Sequence, residues 1–294
     1  MTAEIKNYKF KIRVGLRELL CFNFRLNVLH DFISSVETGN SPVTEPAKPA
    51  PDSDGFLFKD KKISQPTQKL KIGKLIRYIP HFYNHCYINL NTSFDEYKKK
   101  FSSKSLSTIK RKINKCKKDG EVDFREYRAA ADIKPFFDIA LPLSQLTYQE
   151  KLLDAGLPSD EDFLTKSIEL ASNDNLRAYI LFIDGKAAAY LYCPVKNGVL
   201  LYSYLGYHPD YTQMSAGTVL QWLALERIFA EDKFTLFDFT EGESPHKKYF
   251  ATDTKLCADV FFFRKSLKSI VAVFCHYAVE AIIKLAKKIL KKDN

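Results

Sequence analysis

The chain has 294 residues, 46% of them hydrophobic and 27% charged, with only 12 Pro and 11 Gly. That is enough apolar material for one large or two modest cores, and it excludes wholesale disorder, collagen and repeat arrays. The net charge of +10 is uneven: residues 59–119 hold 17 basic and 4 acidic groups, residues 120–263 hold 13 and 22, and residues 264–294 hold 8 and 2. Two basic arms around an acidic centre imply an anionic partner for the arms: a phosphate-bearing ligand, nucleic acid or a membrane face.

The N-terminus, Met1 to Lys6, has neither the basic region nor the apolar stretch of a signal peptide, and no run of 18 uncharged apolar residues occurs, so a cytoplasmic location is expected. The six cysteines lie far apart without a C-x-x-C pair, which reads as reduced, mostly buried thiols.

In chain order, Lys9 to Val36 carries Leu16, Leu19, Leu20, Phe24, Leu26, Leu29 and Phe32 with a mixed period that fixes no element type. Residues 38–68 are rich in Pro and Ser and read as a loop or linker. Tyr87 to Leu90 is a short strand, and Thr92 or Ser93 caps a helix beginning Phe94, Asp95, Glu96, Tyr97. A strongly basic helix follows from Ser105 to Lys118, then helices over 132–146 and 159–172.

Three antiparallel strands are expected over 176–183, 187–194 and 199–207, because Asp184-Gly185 and Asn197-Gly198 are the pairs that type I′ turns select. A helix from Gly217 or Thr218 to Ala230 precedes strands at 234–239 and 257–263. The order is that of a mixed α+β domain.

Two segments carry candidate chemistry. In Tyr211-Thr-Gln-Met-Ser-Ala-Gly-Thr218, small residues leave backbone N–H groups free at a helix start, which suits a pyrophosphate; the alternative is a helix merely capped by Ser215. In Leu236 to Phe250, Asp238 sits inside an apolar strand, where a carboxylate must be paired or hydrogen-bonded. It holds its loop, or it orients or deprotonates a substrate group.

The three hairpin strands, the Ser215-Ala216-Gly217 helix start and Phe237-Asp238-Phe239-x-x-Gly242-x-x-Pro245-x-Lys247 resemble the GNAT acyltransferase superfamily. The basic lead-in from Ser93 to Arg111 is similar to that of its cellulose-biosynthesis-associated, CelD-type branch. The family's frequent Ser-Pro-Gly and Tyr-Lys read here Ser215-Ala216-Gly217 and His246-Lys247, and its frequent Trp is replaced within Thr147 to Glu150.

The resemblance implies a mixed, mostly antiparallel sheet flanked by helices over residues 87–265, after an N-terminal region of residues 1–86 and before a basic amphipathic helix of residues 266–294. It also implies an acyl-CoA co-substrate such as acetyl-CoA, without a metal, its pyrophosphate held by Met214, Ser215, Ala216, Gly217 and Thr218. Acyl transfer needs a base and a donor for the leaving thiolate. Glu150, Asp238, Glu241 and His246 are candidate bases, and Tyr202 and Tyr204, alternating on one strand, are a candidate substrate contact and a candidate acid. Lys247 and Glu241 are the further acceptor contacts.

His81, His85 and Cys86 lie in extended sequence without a full ligand set, and no P-loop or dinucleotide fingerprint occurs. The expected activity is acyl transfer, foremost N-acetylation, to a sugar, a polysaccharide intermediate or an amine-bearing small molecule. The alternatives are a peptidoglycan-type aminoacyl transferase and a nucleic-acid-binding module using the run Lys98 to Lys118, which no recognition motif accompanies.

The last helix recurs in Ile270, Phe274, Tyr277, Ile282, Leu285 and Ile289, ending in Lys284, Lys287, Lys288, Lys291 and Lys292. Such a stripe either docks on the enzyme's own sheet or lies on the inner face of an anionic membrane as a peripheral anchor. A true span conflicts with His276 and Glu280.

Overall fold

A computed structural model describes residues 4–15, 17–30, 46, 49–118, 120–147 and 156–290. The strands are β1 (Glu4–Val14), β2 (Arg17–His30), β3 (Gly55–Lys62), β4 (Leu70–Ile72), β5 (Ile76–Tyr78), β6 (Phe82–Asn89), β7 (Val122–Tyr127), β8 (Leu176–Ile183), β9 (Lys186–Lys196), β10 (Val199–Leu201), β11 (Tyr204–Tyr207), β12 (Leu236–Asp238) and β13 (Asp253–Phe263). The helices are α1 (Phe94–Lys98), α2 (Ser103–Lys118), α3 (Ala130–Gln145), α4 (Glu161–Ser172), α5 (Ala216–Ala230), α6 (Pro245–Phe250) and α7 (Leu267–Leu290). They form two compact units, one of residues 86–240 and 244–254, the other of residues 1–85, 241–243 and 255–294.

In the larger unit the sheet runs from residues 87–89 of β6 through β12, β10, β9 and β8 to β7, with β11 added on β9. Both expected tight turns form, with φ of 51° and 70° at Asp184-Gly185 and 52° and 76° at Asn197-Gly198. All eight residues of β8 are buried, because successive side chains point to opposite faces and both faces are covered. Tyr179, Leu181 and Ile183 enter the core shared with α2 and α5, while Ala178, Ile180 and Phe182 enter the core shared with α3 and α4. Helices therefore flank both sides of a mostly antiparallel sheet, as the α+β reading required.

Two helix starts are chemically explicit. Ser93 Oγ accepts the Glu96 amide and Asp160 Oδ1 the Phe163 amide, each satisfying an N–H that the helix itself cannot.

In the other unit, β1 and β2 form a long antiparallel hairpin, β2 pairs in parallel with β3, and β3 and β5 flank β13. Phe10, Ile12, Phe24, Leu26, Leu57, Phe261 and Phe263 share a buried face with Ala272 and Val273 of α7. One open stretch and one expectation are resolved here. The described part of the mixed-period stretch, up to His30, belongs to a strand pair whose Leu19 and Leu20 are exposed on the surface, which blurs the period. Within the supposed linker, Gly55–Lys62 is a strand held by pairing with Cys257–Phe263, a partner about two hundred residues away that no local pattern announces.

Candidate active site

The site arises where a parallel strand pair comes apart. Leu200 and Leu201 of β10 pair with Phe237 and Asp238 of β12. The chain then passes Tyr202 and Ser203 into β11, which pairs only with β9, from Tyr204 opposite Tyr192 to Tyr207 opposite Ala189. β12 ends at Asp238, so among the described residues no strand takes up the other edge of β11, and a cavity of about 490 Å³ opens beside it. Tyr202, Leu205 and Tyr207 line one part, Ser215 to Thr218 another, and Ser244, His246 and Lys247 a third.

The helix start in this cavity is open to an anion. A turn of 3₁₀ helix over Pro209–Met214 leads into Ser215, whose φ of 57° and ψ of 41° reverse the chain into α5. The Ser215 side chain makes no capping hydrogen bond; its carbonyl accepts the Thr218 and Val219 amides. The amides of Ala216 and Gly217 thus remain at the positive end of a 15-residue helix. Gly217 leaves little room for a side chain: a Cβ there would lie 3.3 Å from Leu205 Cδ2 and from Tyr207 Cδ1. The basic helix α2 supports this loop, with Lys115 Nζ donating to the Gln213 carbonyl at 3.2 Å and Cys116 Sγ lying 3.8 Å from the Met214 carbonyl. Met214 lies outside the cavity lining, whereas Ser215, Ala216, Gly217 and Thr218 belong to it.

His246 enters through α6, whose N-cap Ser244 accepts the Lys247 amide at 3.2 Å. Its ring lies 6.4 Å from that of Tyr202 and 5.0 Å from that of Phe250. Its Nε2 is buried and meets no hydrogen-bond partner among the described residues. Burial, reinforced by the ammonium groups of Lys112 and Lys247, pulls its pKa down to about 4, so the imidazole is neutral at physiological pH. Burial also raises the Tyr202 phenol above its ordinary value and keeps it protonated.

The remaining candidates are placed elsewhere. Tyr202 and Tyr204 do not share a face, because the break between β10 and β11 falls between them: Tyr202 packs on Phe237 and Phe239, Tyr204 on Phe163 and Tyr192. Tyr204 thus sits on the α3–α4 side, away from the cavity lining. The carboxylate of Asp238, a residue 1% exposed, accepts the Thr240 amide at 2.7 Å and shapes the turn in which Thr240 has φ of 59°. Glu241 belongs to the smaller unit, where it meets His81 Nε2 at 3.5 Å and Lys59 Nζ at 4.0 Å. The hydrogen bond from His81 is the main cause lowering its pKa. Glu150 lies outside the described residues.

Sequence reasoning missed Leu205 and Tyr207 of the lining, while Thr212 and Ser244 fall within its two candidate segments without an assigned role. Ser244 also carries the signal of an N-cap type immediately before Pro245. No group of three His, Cys, Asp or Glu residues among the described residues could hold a metal ion.

Residues 103–248 match the family model of an acetyltransferase (GNAT) domain. No curated protein matches the chain. Among solved structures, the likeness to FemX has a TM-score of 0.49 at 11% identity and covers 75% of each chain. L-PGS from Bacillus licheniformis gives 0.47 at 11% identity, over 76% of this chain and 73% of that one. The C-terminal domain of a protein assigned as a lysylphosphatidylglycerol synthetase from Agrobacterium fabrum gives 0.47 at 12%, over 68% of this chain; the match spans 65% of that domain. Nothing about this chain's substrate follows from likenesses at that level. The parted strands with an open helix start beside them lie largely inside the matched residues, and the chain therefore carries a GNAT acetyltransferase domain over residues 103–248, the domain of a GNAT-type enzyme.

Proposed function

We propose that this domain transfers the acyl group of an acyl-CoA, acetyl-CoA first among them, to an amine of a sugar, a polysaccharide intermediate or another small acceptor. The observation that carries the reading is the free edge of β11 beside the uncapped first turn of α5. Backbone amides of Ala216 and Gly217 suit a pyrophosphate, and an unpaired strand edge suits the extended pantetheine arm, which carries its own amides. A resemblance to the CelD-type branch, in Ser93 to Arg111 and the Ser215-Ala216-Gly217 start, supports a glycan-related acceptor.

For the chemistry, the acceptor nitrogen attacks the thioester carbon, the C–S bond breaks, and two protons must be handled: one leaves the nitrogen and one reaches the sulfur. His246, neutral because burial disfavours its charge, is the group to take the first, since the ammonium of a tetrahedral intermediate is far more acidic than a free one. Tyr202, kept protonated, is the group to supply the second. Tyr204 packs on the other face of the sheet and the Glu241 carboxylate is paired with His81 and Lys59, so neither is given a role in this scheme.

Replacing His246 with Gln is expected to lower kcat about 10²-fold or more while the Kd for acetyl-CoA stays within about three-fold, since general-base contributions are of that order. Equal losses in both would remove His246 from the chemistry. The sign of its pH effect on stability is also set: the folded pKa is depressed below 6.5, so its contribution is present above pH 6.5 and is lost as pH falls towards about 4. The Gln variant should therefore lose less stability than wild type across that window.

The wider test is a melting series with acetyl-, propionyl- and succinyl-CoA and free CoA. A ligand held at 100 times its Kd stabilises by about 2.7 kcal/mol and should raise Tm by roughly 5–10 °C. A peptidoglycan-type aminoacyl transferase would instead draw charged tRNA to the exposed Lys104, Lys110, Arg111, Lys117 and Lys118 of α2. A shift with tRNA and none with any thioester would replace the present reading by that one.

A further inference from the structure

The C-terminal helix resolves the two fates expected for it by having two apolar faces. One is occupied inside its own unit: Ala272 and Val273 are fully buried against the strand face that holds Phe10, Phe261 and Phe263, with Cys275 and Val279 partly buried beside them. On that side His276 Nδ1 shares a 2.7 Å hydrogen bond with the Tyr78 hydroxyl. The other face carries Ile270, Val271, Phe274, Tyr277, Ile282 and Leu285, each 40–66% exposed, at helical spacings that set them in one stripe. A helix with two apolar faces is expected to be covered on both, and an apolar stripe about 23 Å long is more than a soluble surface ordinarily leaves open.

We propose that this outer face of α7 is an interfacial anchor that lies on an anionic lipid bilayer. The charges around it select that occupant. The only acid of α7 is Glu280, which lies at the half-buried side of the helix. Lys284 is exposed at the border of the stripe, and the sequence continues with Lys287, Lys288, Lys291 and Lys292. The β4–β5 hairpin, beside α7, contributes exposed Lys71 and Lys74 around an Ile72 that is 59% exposed. Lys69 has its pKa lowered by burial and then by Lys284, which sets the two like charges near each other. At the other end Lys268 is held by Asp54 at 3.0 Å, so the basic rim is concentrated towards the end of the chain.

A second copy pressed on this stripe would oppose lysines with lysines and offer from its own helix only Glu280, on the half-buried side; anionic headgroups supply the missing counter-charge. By length and composition Leu267–Ala286 also suffices to cross a membrane. A crossing would strip Ala272 and Val273 from their strands and break the Tyr78–His276 bond, whereas lying flat keeps both.

The test uses the full chain and extruded vesicles, either pure phosphatidylcholine or phosphatidylcholine with about one-third phosphatidylglycerol, in low and high salt. Wild type is expected to pellet with the anionic vesicles, weakly or not at all with the neutral ones, and to be partly released by salt. The double variant Phe274→Glu, Ile282→Glu alters only exposed side chains, so its melting temperature should stay near wild type while its partitioning falls at least about ten-fold. Absence of wild-type binding to anionic vesicles, or equal binding by the double variant, overturns the proposal. A dimer in sedimentation equilibrium that the double variant dissociates, without vesicle binding by either, assigns the stripe to a second copy and overturns it as well.

Discussion

Replacing Gly217 with Val is expected to weaken acetyl-CoA binding by about 10²-fold or more while the domain remains folded. The position is helical, with no backbone strain to relieve, and lies in the first turn of α5 beside the amides offered to the pyrophosphate. A Cβ already comes within 3.3 Å of Leu205 and Tyr207, both cavity residues, so valine's two further methyls must go into the cavity or displace its wall. The stability cost is that of modest overpacking, about 1–3 kcal/mol. Gly217→Ala should fall between, because its single methyl asks Leu205 and Tyr207 to give by only a few tenths of an ångström. Ser215→Ala should change little, since that hydroxyl caps nothing. Titration calorimetry with acetyl-CoA decides: an unchanged Kd in a folded Gly217→Val protein removes the helix start from the binding site.

The parts of this fold that were legible in advance are those determined locally. Two positive-φ dipeptides fixed the turns of β8, β9 and β10, and a cap residue with acids in the next turn announced α1. The strand β3 was hidden because its stability comes from β13, and the β1–β2 hairpin because two surface leucines disturb the alternation that marks a half-buried strand.

The site divides along the same line. Ser215 to Thr218 stand together in the cavity wall because they are contiguous in the chain, at a helix start that their small side chains mark. Tyr202 and Tyr204 carry no mark of their separation, because Val199 to Tyr207 reads as one continuous strand. Only the choice of partners, β12 for Leu201 and β9 for Tyr204, shows where it breaks and turns one ring into each core. Glu241 stands three residues from Asp238 in the chain, yet positive φ at Thr240 and Gly242 bends the backbone and the carboxylate meets His81 and Lys59 instead.

The largest loss of stability is expected from Arg177→Leu. Arg177 is fully buried on β8, with Nη2 2.6 Å from Glu231 Oε2, Nε 2.8 Å from Oε1 and Nη1 2.8 Å from Asp174 Oδ1. Its guanidinium carbon lies 5.1 Å from the centre of the Phe234 ring, and Arg128 reaches the same two acids from outside at 2.9 and 3.2 Å. Removing the central cation leaves Glu231, itself largely buried, with Arg128 alone, and an uncompensated buried charge costs about 3–5 kcal/mol. For a domain of this size that is a fall in Tm on the order of 10 °C or more. Removing Glu231 as well, in Arg177→Leu, Glu231→Leu, should recover part of the loss, because the pair taken out together leaves less charge to desolvate. The acid side of the profile gives an independent reading. Burial alone would raise the Asp174 pKa, but hydrogen bonds from Arg128, Lys233 and Arg177 outweigh it and hold the carboxyl well below the usual range. The stability it contributes is therefore present above the ordinary aspartate pKa and is lost as pH falls below it, so wild type should be more acid-sensitive in that range than Arg177→Leu. A variant with wild-type Tm would show that Arg128 and Lys233 neutralise both acids without Arg177, and a double variant no more stable than the single one would show that packing on Phe234, not charge, holds this end of β8.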